Sequence, residues 1–205
     1  LTITFLSIIP TMDKAYNHKD GEDQLYQKWE TSGSFAPEIN ESGKPFTIIM
    51  PPPNANDPMH VGHVMGVAIQ DILIRYHRMK GDAALWLPGT DHAGIETQYV
   101  FEKKLAKEGK SRFDFDRESL YQRIWDYVQD NSGVSVGQMK RMGASADWSR
   151  FKFTLDKDIV GDVIKTFNKL HEDGLIYRGE RLVNYCTKCG TGYSELEVEY
   201  EERTD

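Results

Sequence analysis

Pro51-Pro-Pro-Asn-Ala-Asn-Asp-Pro-Met-His60-Val-Gly-His63 is the stretch on which the reading of this 205-residue chain turns. The short, apolar, β-branched run Phe46-Thr-Ile-Ile-Met50 precedes it, and Val61, Val64, Met65, Ala68, Ile72, Tyr76 and Met79 follow at helical spacing. The order is strand, loop, helix. Three consecutive prolines and Pro58 stiffen the loop, and Gly62 removes a side chain where the helix begins, so His60 and His63 converge on backbone that a ligand can approach. The first N–H groups of a helix lack intrahelical partners and attract anions. The stretch therefore reads as a nucleotide phosphate site, with helix capping or packing as the alternative use of the two histidines.

Outward from there, Gly81-Asp82 breaks the helix and Ala83-Ala-Leu-Trp-Leu87 reads as a second buried strand. Strand, helix and strand at this spacing predict an α/β fold with a parallel sheet and a right-handed crossover. The second strand runs into Leu87-Pro-Gly-Thr-Asp-His-Ala-Gly94, beside the end of the first, where ligands of open α/β folds bind. Asp91 there is placed either to pair with a ligand ammonium or to cap the helix that starts near Gly94. Thr90 and His92 share its loop, and Trp86 is assigned to the core. Helices are expected from Gly94 to Glu108, from Glu118 to Asp130, and from about Asp156 to a Gly174 cap. Their stripes, Leu120, Ile124, Tyr127 and Val128 in one, Ile159, Val160, Val163, Ile164, Phe167 and Leu170 in another, are expected to face the core. Asp13 to Glu30 reads as a polar arm with Leu25, Tyr26 and Trp29 on one edge, stopped by Thr31-Ser-Gly-Ser34. Tyr177 to Val183 reads as a strand before the knuckle Cys186-Thr-Lys-Cys189-Gly190.

Composition narrows the classes. Charged residues make up 28% and hydrophobic ones 39%, as in ordinary globular domains rather than disordered chains. A net charge of -7 argues against a chain that grips nucleic acid mainly through phosphates, so no DNA partner is expected and most of any nucleic-acid contact is expected elsewhere. The two cysteines, Cys186 and Cys189, suggest metal or redox chemistry in a reducing compartment, with the cytoplasm as default. The apolar start Leu1-Thr-Ile-Thr-Phe-Leu-Ser-Ile-Ile9 is too short to span a bilayer and has neither a basic flank nor a small-residue cleavage site. No membrane partner is expected, and residues 1–11, ahead of Met12, read as an upstream extension or as sequence ahead of a start at Met12.

His60-Val-Gly-His63 after a buried strand resembles the signature of the class I aminoacyl-tRNA synthetases. The upstream Pro51-Pro-Pro-Asn54 and downstream Pro88-Gly-Thr-Asp-His-Ala-Gly94 are similar to the branch of that family that charges tRNA(Val) with valine. Met142-Gly-Ala-Ser-Ala-Asp-Trp-Ser-Arg-Phe151, Gly174-Leu-Ile-Tyr-Arg-Gly179, Leu182-Val-Asn-Tyr-Cys186 and Leu196-Glu-Val-Glu-Tyr200 follow in the expected order, so the resemblance covers nearly the whole chain. Several ordered blocks carry more weight than one motif. Val61 in place of Ile, Ala55-Asn-Asp-Pro58 in place of a small-residue run, and Tyr185 in place of Trp depart from the pattern without removing a hydrogen-bonding group.

The resemblance implies a Rossmann-type nucleotide-binding domain, here its first half, over residues 45–205, behind an extension and helical arm over 1–44. It implies a valine–tRNA ligase activity: ATP with Mg2+ activates valine to an adenylate, and the full enzyme passes it to tRNA(Val). His60, Gly62 and His63 would bind ATP, the two histidines serving catalysis. Asp91 would take the α-ammonium, while Pro52, Pro53, Asn54, Thr90 and His92 would complete the amino-acid site. A rigid aliphatic pocket discriminates by size, at about 1–3 kcal/mol per methylene. Cys186 and Cys189 would be half of a Zn2+ site completed elsewhere in a longer protein. The editing insertion of this branch would fall near the knuckle, so proofreading is not expected of this chain. An isoleucine or leucine enzyme, which usually carries Trp at the place of Thr90, is the nearest rival. A small nucleotidyltransferase leaves the blocks from Met142 onward unexplained, and a non-catalytic ATP-binding fragment is a further reading.

Overall fold

The computed structural model describes residues 15–202. The expected extension over residues 1–11 lies outside them. The chain divides into a first compact unit that runs through Val160 and a second that starts at Gly161.

In the first unit, helix α1 (Glu22–Thr31) precedes strand β1 (Pro45–Ile49), helix α2 (Val61–Met79) and strand β2 (Ala83–Leu87). β1 and β2 pair in parallel with Phe46 opposite Ala84 and Ile48 opposite Trp86, so the expected strand-helix-strand unit is present. Gly81, at φ 83°, makes the reversal between α2 and β2 that an L-residue resists. Strand β3 (Gly89–Thr90) follows β2 after Pro88 and pairs in parallel with β4 (Lys152–Phe153). Gly89 is required there, because a Cβ would stand 2.7 Å from the Lys152 carbonyl oxygen. Helices α3 (Gly94–Lys107) and α4 (Arg117–Arg141) lie between β3 and β4 in sequence.

α4 runs eleven residues past the expected stop at Asp130. Glycines and serines from Ser132 to Gly137 weaken helix propensity, but Ser135 and Met139 are buried, and tertiary packing overrides propensity. Met139 joins Met50, Val67, Ile74, Trp86, Ala144 and Ala146 in the main core. A second cluster holds Ala55, Val128 and Phe153 with Ile124 and Trp125 beside them.

The block from Met142 to Phe151 is bound to α2 by a polar network. Asp71 Oδ1 accepts from the Ser145 N–H at 2.9 Å and from its hydroxyl, and Arg75 Nε donates to Asp71 Oδ2 at 2.7 Å. Arg78 donates to the carbonyls of Phe35 and Ser145, each at 2.8 Å. α1 is held on the same block: the Tyr26 hydroxyl donates to the Ala144 carbonyl at 2.7 Å and accepts from Trp148 Nε1 at 2.6 Å.

Helix α5 (Lys157–Glu172) begins at the end of the first unit. It carries no buried residue, and Val163, Ile164 and Phe167 of its expected core stripe are exposed. In the second unit the strand expected over 177–183 is not formed. The pairing shifts to β5 (Asn184–Cys186) and β6 (Thr191–Tyr193), because the knuckle folds them back as an antiparallel hairpin with Cys186 opposite Thr191.

Candidate functional site

The loop from Pro51 to His60 ends at the N-cap of α2, which is His60 itself, at φ -102° and ψ 174°. Its Nδ1 accepts the Gly62 N–H at 3.1 Å, and His63 Nδ1 accepts the His60 N–H at 3.3 Å, with the two rings 4.0 Å apart. A ring nitrogen that accepts an N–H carries a lone pair, so in the neutral imidazole the proton sits on Nε2. Capping thus uses Nδ1 of each ring, and both rings keep an Nε2–H to donate. A Cβ at Gly62 would stand 2.9 Å from His60 Cε1, so the ring keeps this capping position only beside a glycine.

The loop after β3 is joined to this one by backbone. The Asp91 N–H donates to the Pro53 carbonyl at 2.9 Å, and the Ala55 N–H to the Asp91 carbonyl at 2.8 Å, an isolated parallel bridge between Asn54 and Asp91. Pro53 is buried by this pairing, Pro52 is exposed, and the Asn54 amide donates to Glu96. Asp91 does not cap α3. The N-cap is Ala93, held at φ 46° without a side-chain cap bond, and Thr97 Oγ1 reaches back to the His92 carbonyl at 2.6 Å.

Thr90, expected to help complete the amino-acid site, ends β3. It is 0% exposed, because β3 pairs with β4 over it, and its hydroxyl has no hydrogen-bond partner among the described residues. The residue that sequence reasoning missed is Thr154. Its hydroxyl donates to Asp91 Oδ1 at 2.9 Å, accepts the His92 N–H at 2.9 Å and lies 2.7 Å from His92 Nδ1. Thr154 follows β4, whose pairing with β3 carries it across 63 residues of sequence to Asp91. No local pattern marks it. A cavity of about 610 Å3 bordered by Phe35, Val136, Trp148 and Phe151 touches none of the expected site residues.

In the second unit, the Cys189 N–H donates to Cys186 Sγ at 3.5 Å, and the Gly190 N–H to the Cys186 carbonyl at 2.8 Å. The Cys189 N–H, followed by the Cys189 side chain, lowers the Cys186 thiol below its ordinary range, and the Cys189 thiol raises Tyr193 to about 12. Among the described residues no group of three or more His, Cys, Asp and Glu side chains is placed to hold a metal ion. The pair supplies two thiolates where a structural zinc takes four ligands.

Residues 24–204 match the family of class I tRNA synthetases that comprises the I, L, M and V enzymes. The chain belongs to this family. Within it the chain is similar to valine–tRNA ligases: 46% identical to that of Treponema denticola over 94% of this chain and 21% of the relative. It is 47% identical to the chloroplastic/mitochondrial enzyme 2 of Arabidopsis thaliana over 94% and 20%, and 49% identical to the Francisella tularensis enzyme over 91% and 20%. The chain therefore spans about a fifth of the length of these synthetases. The LeuRS of an Agrobacterium radiobacter ternary complex with tRNA and LeuAMS shares the fold, at a TM-score of 0.74 and 23% identity over 90% of this chain and 22% of that one. The expected class I α/β architecture is thus present, and the relatives favour the valine branch over isoleucine or leucine.

Proposed function

We propose that this chain carries the first half of the activation site of a valine–tRNA ligase, over residues 45–205, with residues 1–44 as its extension and arm. The observation that supports it is the bridge between Asn54 and Asp91, which sets two imidazole donors and a carboxylate on adjoining loops at one end of a parallel sheet. Activation needs no covalent intermediate on the enzyme: the valine carboxylate attacks the α-phosphorus of ATP in line, the bond to the β-phosphate oxygen breaks, and pyrophosphate leaves. His60 and His63 donate through Nε2 to phosphate oxygens as charge builds there, aided by the N–H groups at the start of α2. Asp91 pairs with the α-ammonium, and Pro52, Pro53 and Asn54 form one wall against the side chain. Mg2+ bound with ATP neutralises phosphate charge.

Transfer to tRNA(Val), and a zinc ion completed by two further ligands beyond Cys186 and Cys189, belong to a protein of the relatives' length working in cytoplasmic translation. Among the described residues no helix is long and apolar enough to cross a membrane. The test is ATP–pyrophosphate exchange by the purified chain with valine, isoleucine, leucine or threonine, beside a His60→Ala, His63→Ala double variant. Valine-dependent exchange that the variant loses is the expected result. Exchange with isoleucine or leucine alone would reassign the amino acid. ATP binding without exchange for any of the four would support a non-catalytic half-site.

A further inference from the structure

We propose that Thr154 is a positioning residue that fixes the tautomer of His92, making this ring an acceptor where His60 and His63 are donors. A threonine hydroxyl has one proton and two lone pairs. The proton goes to Asp91 Oδ1 at 2.9 Å, because a carboxylate only accepts. One lone pair takes the His92 N–H at 2.9 Å, because an amide N–H only donates. What remains for His92 Nδ1, at 2.7 Å, is the second lone pair, so Nδ1 carries the hydrogen. A second contact gives the same answer: Nδ1 lies 3.4 Å from Asp91 Oδ1, which attracts an N–H and repels a lone pair.

In the neutral ring, Nε2 then carries the lone pair. The side chain is 41% exposed, and a Cβ at Gly94 would stand 4.0 Å from Nε2, so the absence of a side chain there leaves that edge open. Among the described residues neither His92 Nε2 nor Asp91 Oδ2 has a hydrogen-bond partner. Two acceptors side by side suit a cationic donor such as an ammonium group, and the histidines at α2 suit an anion. The tautomer follows from the contacts alone; its consequence for the amino acid rests on the proposed activation reaction.

The test is two-bond 1H–15N correlation of the histidine rings in the 15N-labelled chain, at a pH where they are neutral, with His92 assigned by its loss in His92→Gln. The expected pattern shows Nδ1–H for His92 and Nε2–H for His60 and His63. An Nε2–H pattern for His92 overturns the proposal whatever the variants do. Thr154→Val should move His92 at least fivefold toward Nε2–H and Thr154→Ser should restore the wild-type pattern; an unchanged ring in a folded Thr154→Val chain also overturns it. In pyrophosphate exchange, Thr154→Val should raise the KM for valine about tenfold and leave that for ATP within twofold. A chain that shows no exchange counts against the activation reading, and the ring spectrum still decides Thr154.

Discussion

His60 and His63 each commit one ring nitrogen to the backbone at the start of α2, and the other is the one proposed to meet phosphate. The two uses can be separated. His60→Asp retains a good N-cap acceptor and should hold unfolding free energy within about 0.5 kcal/mol, while its charge repels phosphate and abolishes ATP binding in a calorimetric titration. Gly62→Ala should do the opposite kind of harm. Its Cβ displaces the His60 ring, with a loss of about 1 kcal/mol in urea unfolding as the cap breaks. Ala93, at φ 46°, is strained for an L-residue, so Ala93→Gly should gain up to about 1 kcal/mol. At this scale the placement of His60 and His63 at the start of α2, and of Asp91 on the adjoining loop, was legible, because each follows a strand end. The burial of Thr90 and the part of the distant Thr154 were not, since a pairing between β3 and β4 placed both.

Two elements depend on polar contacts that no periodicity announces. α2 faces the Met142 block with Asp71, Arg75 and Arg78, and burial lowers the Arg78 guanidinium to about 10. Arg78→Ala would leave the carbonyls of Phe35 and Ser145 without these donors, and it should cost about 3 kcal/mol in chemical unfolding. α1 is anchored by Tyr26, whose pKa is raised from 10.0 to about 12, first by burial and then by the negative charges of Glu30 and Asp71. The folded state thus holds the phenol proton more tightly than the unfolded chain. This contribution is fully present below pH 10, and it declines between pH 10 and 12 as the unfolded chain releases the proton first. Tyr26→Phe should lower stability at neutral pH and flatten this part of the profile; an equally steep decline in the variant would mean that other groups cause it. The presence of α2, α3 and α5 was readable. The extension of α4 to Arg141 was not, because Ser135 and Met139 count as helix-supporting only once the core is known.

For the molecule as a whole, the outward face of α2 bears on solution behaviour. Val61 and Met79 are 83% and 81% exposed, and Met65, Ile72 and Tyr76 lie exposed between them in sequence. Among the described residues β1 pairs only with β2, and parallel sheets are ordinarily covered on both faces. This chain should therefore associate as its concentration rises, and Met65→Glu with Ile72→Glu should reduce that association in sedimentation velocity. A wild-type chain that stays monomeric at high concentration would show that the stripe is not adhesive. The sequence by itself determined the α/β class, the strand-helix-strand order, the two loops and the family, because alternation, turn residues and clustered motifs are local properties. Only the tertiary structure decided which face of α2 is covered. Val67 and Ile74 are buried and the stripe chosen from periodicity is not, since a period states that a face exists, whereas its partner is set by what folds against it. The same limit applies to His92, whose proton is placed by a hydroxyl that chain pairing brings from 62 residues away.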